Sequence, residues 1–225
     1  MTNHTALHFI EIEPAVPAQH TIIWLHGLGA DGNDFVPIVP ELHLPSHHTI
    51  RFIFPHAPIM PITLNNGYKM RAWYDIYSLN NNHRVDETGI AQSVLSITEL
   101  IEAEIARGIS STHIILAGFS QGAAIALTTG ICYSQALGGI IALSGYLPLT
   151  NTVDQASSAN RKIPIFIAHG THDPIVPYLA GKTAETLLQQ AGYPVSFHTY
   201  PMAHSVCAEE MKDIGQWIKI HCKIQ

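Results

Sequence analysis

The chain has 225 residues, of which 47% are hydrophobic and 12% charged, enough apolar material to bury the core of one sizeable α/β domain. Its formal charge is -6, with no basic run, so it lacks the clustered cations that would neutralise nucleic-acid phosphates. Three widely spaced cysteines, Cys132, Cys207 and Cys222, without a C-x-x-C pair, argue against a disulfide framework or a cysteine-built zinc site and are expected to be buried, inert thiols.

In chain order, MTNHTALHFIEIEP carries no charged-then-apolar leader, and no later stretch is a membrane span, so the protein is expected to be soluble and cytoplasmic. HFIEIE and TIIWLH are the first strand candidates. The second runs into LHGLGADGND, where Gly27, Gly29 and Gly32 spell the nominal dinucleotide fingerprint G-x-G-x-x-G. Its context argues otherwise. Asp34 would face pyrophosphate, Pro37 and Pro40 shorten any subsequent helix, and no acid ends the next strand, RFIFP, to bind a ribose.

After IRFIFP, the segment 56–84 is long and non-periodic, rich in Pro and Asn, with no regular element expected; such loops are often functional. In ETGIAQSVLSITELIEAEIARG, Ile90, Val94, Ile97, Ile101 and Ile105 recur every three or four residues, which predicts an amphipathic helix ending near Gly108. Four more apolar runs, HIILAG, GIIALSG, IPIFIAHG and VSFHTY, alternate with helices expected over 121–131, 178–192 and 205–223. Continuously apolar strands alternating with helices imply a mainly parallel sheet covered on both faces.

HIILAGFSQGAAIAL places Gly118, Ser120 and Gly122 between a strand and a helix, the G-x-S-x-G nucleophile elbow. A serine hydroxyl needs a base, and the base needs an orienting acid. Asp173 comes after the strand IPIFIAHG and His204 after VSFHTY, so loops at the carboxyl ends of parallel strands can bring Ser120, Asp173 and His204 together in the order Ser, acid, His. Asp173 could instead cap the next helix; Asp75 and Asp154 are rival acids, though neither stands after so clear a strand. His169, His172 and Asp173 could be read as metal ligands, but the three or four converging donors that zinc needs are not evident, and no metal or organic cofactor is expected. Attack on an acyl carbon also needs donors to the oxyanion: the backbone N–H of Gln121, after the nucleophile, and that of Leu28, in the glycine-rich loop.

Together LHGLGADGND, PHAPIMPITLNNGYKMRAWYD, GFSQGAAIAL, LSGYLPL, HGTHDPIVP and YPMAHS resemble the phospholipase/carboxylesterase family of α/β-hydrolases. The resemblance implies one α/β-hydrolase domain over 1–225, with triad and oxyanion donors at the same five positions. It also implies that 56–84 forms a lid over an acyl pocket, with Ile62, Trp73, Leu147 and Val176 near the substrate. Arg71 and Ala72 stand where the family often has Pro-Ser, and Ala203 where Gly is frequent before the histidine. The expected activity is hydrolysis of short- to medium-chain carboxylic esters. Alternatives are an acyl-protein thioesterase or lysophospholipase, whose substrates are lipidated proteins or lysophospholipids, and a noncatalytic ligand-binding protein, which usually lacks a triad member. An apolar lid would equally suit a weak homodimer interface.

Overall fold

Buried parallel strands need apolar residues on both faces, and here they dictate the architecture. The structure is a computed structural model and describes residues 7–77 and 85–224. Its strands are β1 (Phe9–Ile12), β2 (His20–Leu25), β3 (Ile50–Pro55), β4 (Ile59–Ile62), β5 (Tyr68–Arg71), β6 (Ile114–Phe119), β7 (Gly139–Leu143), β8 (Ile165–Gly170) and β9 (Val195–Tyr200). The helices are α1 (Ile38–Glu41), α2 (Glu87–Ala106), α3 (Gln121–Cys132), α4 (Tyr178–Gln190) and α5 (Ala208–His221).

Seven strands form the main sheet in the order β1-β3-β2-β6-β7-β8-β9; β1 is antiparallel to β3 and the other pairs are parallel. Alternation along β2 shows how both faces are filled. Ile23 and Leu25 join the layer containing Ile90, Ile97 and Ile101 of α2, Ile125 of α3 and Leu188 of α4. Ile22 and Trp24 join the opposite layer with Ile38 of α1 and Met211, Ile214 and Trp217 of α5. The expected α/β-hydrolase architecture, a mainly parallel sheet with helices on both faces, is the one found.

The expected strands and the four long helices lie within a few residues of their predicted positions. The segment 56–84 differs, because β4 and β5 pair as an antiparallel hairpin with Ile59 opposite Arg71 and Ile62 opposite Tyr68. Its final part, 78–84, lies outside the described residues. Only Cys222 is buried; Cys132 and Cys207 are half-buried, so the expectation of three buried thiols is corrected for two of them. Burial pushes the Cys222 thiol up to about 12, far from reactivity at neutral pH.

Candidate active site

β6 lies in the middle of the sheet, and its carboxyl end delivers the chain sharply into α3. Ser120, at that junction, has φ 56° and ψ -118°, a conformation that costs an L-residue about 1–3 kcal/mol unless its surroundings enforce it. Enforcement is visible on both sides. The Ser120 N–H donates to Leu143 O at 2.8 Å, and its carbonyl accepts from Ala124 N at 3.2 Å. Gly118 and Gly122 are required by space: a methyl group on Gly118 would run into the backbone of Gly122, and one on Gly122 into the carbonyl oxygens of Leu25 and His26. The first turn of α3 thus rests directly on the end of β2.

Two post-strand loops complete a chain of hydrogen bonds. Ser120 Oγ lies 2.9 Å from His204 Nε2, and His204 Nδ1 lies 2.7 Å from Asp173 Oδ2. Asp173 is sealed from solvent, and its other oxygen accepts from the N–H groups of Ile175 and Val176, both at 2.9 Å. A carboxylate can only accept, so His204 Nδ1 donates to it and Nε2 is free to accept from the serine hydroxyl. The rival roles fall elsewhere. Pro177, not Asp173, is the N-cap of α4. Asp75 accepts from Thr63 within the β4–β5 region, and Asp154 ends a 3-10 turn. His169 Nε2 donates to Val176 O at 2.8 Å and helps hold the Asp173 loop. Among the described residues, no group of three or more His, Cys, Asp or Glu side chains is placed to hold a metal ion.

The glycine-rich loop adjoins Ser120. A methyl group on Gly27 would lie 3.5 Å from Ser120 Cβ and 3.2 Å from Phe119 Cδ1. The loop leads into a 3-10 turn, Gly32–Phe35, capped by the Asp31 carboxylate through Asn33 N–H at 2.7 Å, and then into the four-residue α1. Elements this short cannot aim a helix dipole at pyrophosphate. Gln121 opens α3, where the first N–H groups have no partner within the helix.

The four side chains expected along the acyl group are all buried: Ile62 at 0%, Trp73 at 2%, Leu147 and Val176 at 8% exposure. Trp73 is spent on hydrogen bonds as well, since its indole N–H donates to His26 O at 2.8 Å and its carbonyl accepts from Ser93 Oγ. The Gln121 side chain is another addition. Its Oε1 accepts from Trp73 N–H at 2.8 Å, and its Nε2 donates to Tyr74 O at 2.7 Å. Sequence reasoning gives this residue only a backbone role, and misses His26 altogether; the one signal for His26 is its place at the carboxyl end of a buried strand.

Residues 7–222 match the family model described as phospholipase/carboxylesterase. The chain belongs to that family. Within it, acyl-protein thioesterase 1 of Cryptococcus neoformans is 37% identical over 95% of this chain and 97% of the relative. Carboxylesterase SOBER1 of Arabidopsis thaliana is 36% identical over 92% of both chains. Among solved structures, Zea mays acyl-protein thioesterase 2 superposes with a TM-score of 0.85 at 28% identity, covering 96% of this chain and 99% of that one. Both hydrolase names therefore occur among relatives of nearly the same length. No helix among the described residues is long and apolar enough to cross a membrane.

Proposed function

We propose that the protein is a serine carboxylesterase acting on short- to medium-chain carboxylic esters through an acyl-serine intermediate. The observation that carries the reading is the unbroken hydrogen-bond chain from Ser120 through His204 to the buried Asp173. Ser120 attacks the acyl carbon as His204 Nε2 takes the hydroxyl proton. Asp173 holds the imidazole in the tautomer that can accept it and stabilises the imidazolium. The oxyanion takes hydrogen bonds from the backbone N–H groups of Leu28 and Gln121, and its collapse expels the alkoxide, which receives the proton from His204. Water then attacks the acyl-serine by the same route, releasing the acid and restoring Ser120.

Leu147 and Val176, the more exposed of the four at 8% each, wall the acyl chain; Ile62 and Trp73 act behind them through packing. The β4–β5 hairpin serves as the lid. It exposes Ile59 at 64% and Tyr68 at 70%, one on each face of the hairpin, apolar area available to an acyl substrate. That exposed apolar area and the thioesterase names of relatives favour one alternative, hydrolysis of acyl thioesters on lipidated proteins.

Kinetics on a p-nitrophenyl ester series from acetate to laurate, beside a palmitoyl thioester, test the proposal. A higher kcat/KM for C2–C8 esters supports the carboxylesterase reading, and a clear preference for the thioester replaces it with the alternative. No turnover of either by pure, folded protein rejects both.

A further inference from the structure

The acyl-transfer chemistry leaves one buried titratable group idle, beside the glycine-rich loop. His26 is fully buried directly after β2. Its Nδ1 lies 2.7 Å from Gly27 O, and its Nε2 lies 3.0 Å from Ala57 N. A carbonyl only accepts and an amide N–H only donates, so both bonds form together only with a neutral imidazole carrying its proton on Nδ1. Burial, the largest influence on this group, also favours the neutral form.

The geometry of the peptide turns this bond into a constraint on the site. Gly27 C=O and Leu28 N–H belong to one planar trans unit and point in opposite directions. Holding the carbonyl therefore aims the N–H. The preceding carbonyl, that of His26, is held by the Trp73 indole. Trp73 then reaches the other donor residue, because its own N–H is bound by the Gln121 side chain, which also holds Tyr74 O. The two oxyanion donors are thus joined by an uninterrupted path: the Leu28 peptide, His26, Trp73, Gln121.

We infer that His26, Trp73 and the Gln121 side chain form a brace that sets the spacing and aim of the Leu28 and Gln121 N–H groups, with His26 a positioning residue rather than a proton carrier. This rests on the serine-hydrolase reading of the site. Full negative charge reaches the acyl oxygen only as the carbon becomes tetrahedral. A misaimed donor therefore raises the barrier while leaving substrate binding nearly unchanged.

The test compares His26→Asn with His26→Gln in the full chain, using p-nitrophenyl butyrate. An asparagine amide N–H falls near the Nδ1 position and can still donate to Gly27 O; a glutamine amide reaches the Nε2 position and keeps only the Ala57 partner. H26Q is expected to lose about tenfold or more in kcat with KM within about twofold of wild type, since loss of a whole oxyanion donor costs about 100- to 1000-fold. Its affinity for a trifluoromethyl ketone, which forms a tetrahedral adduct, falls in step with kcat. H26N recovers most of both losses. Equal kcat in the two variants, or a loss confined to KM, overturns the inference. Should H26Q not accumulate folded, Trp73→Phe removes the N–H donated to His26 O together with part of the buried ring, and leaves the Trp73 backbone bond to Gln121 in place. The same kcat-only loss is expected there, and an unchanged kcat overturns the inference. A folded wild-type protein that turns over neither ester nor thioester fails earlier, at the serine-hydrolase reading itself.

Discussion

The two ends of the central sheet put their polar groups to opposite uses. At the amino end, buried Glu104 of α2 accepts from Thr21 Oγ1 at 2.6 Å, Arg51 Nη1 at 2.7 Å and Arg107 Nη1 at 2.8 Å, while Glu11 and Glu13 pair with the same two arginines. Full charges are matched there until little bonding capacity remains. At the carboxyl end, Ser120 is held at a positive φ, and the N–H groups of Leu28 and Gln121 are the donors proposed to meet an oxyanion. Saturated polar groups can only fix the chain in place. A site that does chemistry keeps some of its bonding capacity for a substrate, and its strain must be held by neighbours.

The difference predicts where activity and stability part company. Ser120→Gly should lower ester turnover by about 10⁴-fold or more and yet raise stability by about 1 kcal/mol, because glycine adopts φ 56° without strain. Kinetics and a urea melt on one sample check both halves; a destabilised S120G would break the contrast. Asp173→Asn is expected to cost about 10³- to 10⁴-fold in kcat through loss of the imidazole tautomer, with little change in thermal midpoint. At the other end, Glu104→Ala leaves Arg51 in a nearly buried position without its main partner and should destabilise by about 3 kcal/mol or more, while kcat of the folded fraction stays near wild type.

Gln121→Ala belongs to both columns. A backbone donor alone would make the substitution mild, but it strands the Trp73 N–H and Tyr74 carbonyl, so a loss of about 2–4 kcal/mol is expected together with a lower kcat. The remaining prediction concerns pH. Glu210 of α5 is fully buried, and that burial pushes its carboxyl up to about 8, against a weaker opposing pull from the Cys207 backbone. The folded state therefore keeps a proton that the unfolded chain has released, so this group's contribution to stability declines as pH rises from about 4.5 towards 8. Glu210→Gln should flatten that part of the curve in denaturant melts at pH 5 and pH 8; an unaltered slope would remove Glu210 as its source.

Much of the carboxyl end was legible in the sequence because each participant sits beside a strong local signal. Ser120 is framed by two glycines, and Asp173 and His204 each come after an apolar strand. The β4–β5 hairpin was not legible, since its four-residue strands carry Pro61 opposite Lys69 and show no clean alternation. The brace was hidden for a different reason. His26 and Gln121 meet Trp73 across 47 and 48 positions of chain, so no local period registers the contacts. Nor does sequence distinguish a tryptophan that lines an acyl pocket from one whose polar atoms are already bonded, as those of Trp73 are.

The central claim is that Ser120 is the nucleophile, and mapping covalent adducts tests it most directly. After reaction with a fluorophosphonate, a single phosphonylated site at Ser120 is expected in the wild-type protein, with labelling strongly slowed in Asp173→Asn. An adduct on another residue, or an unlabelled and folded wild-type protein, would contradict it.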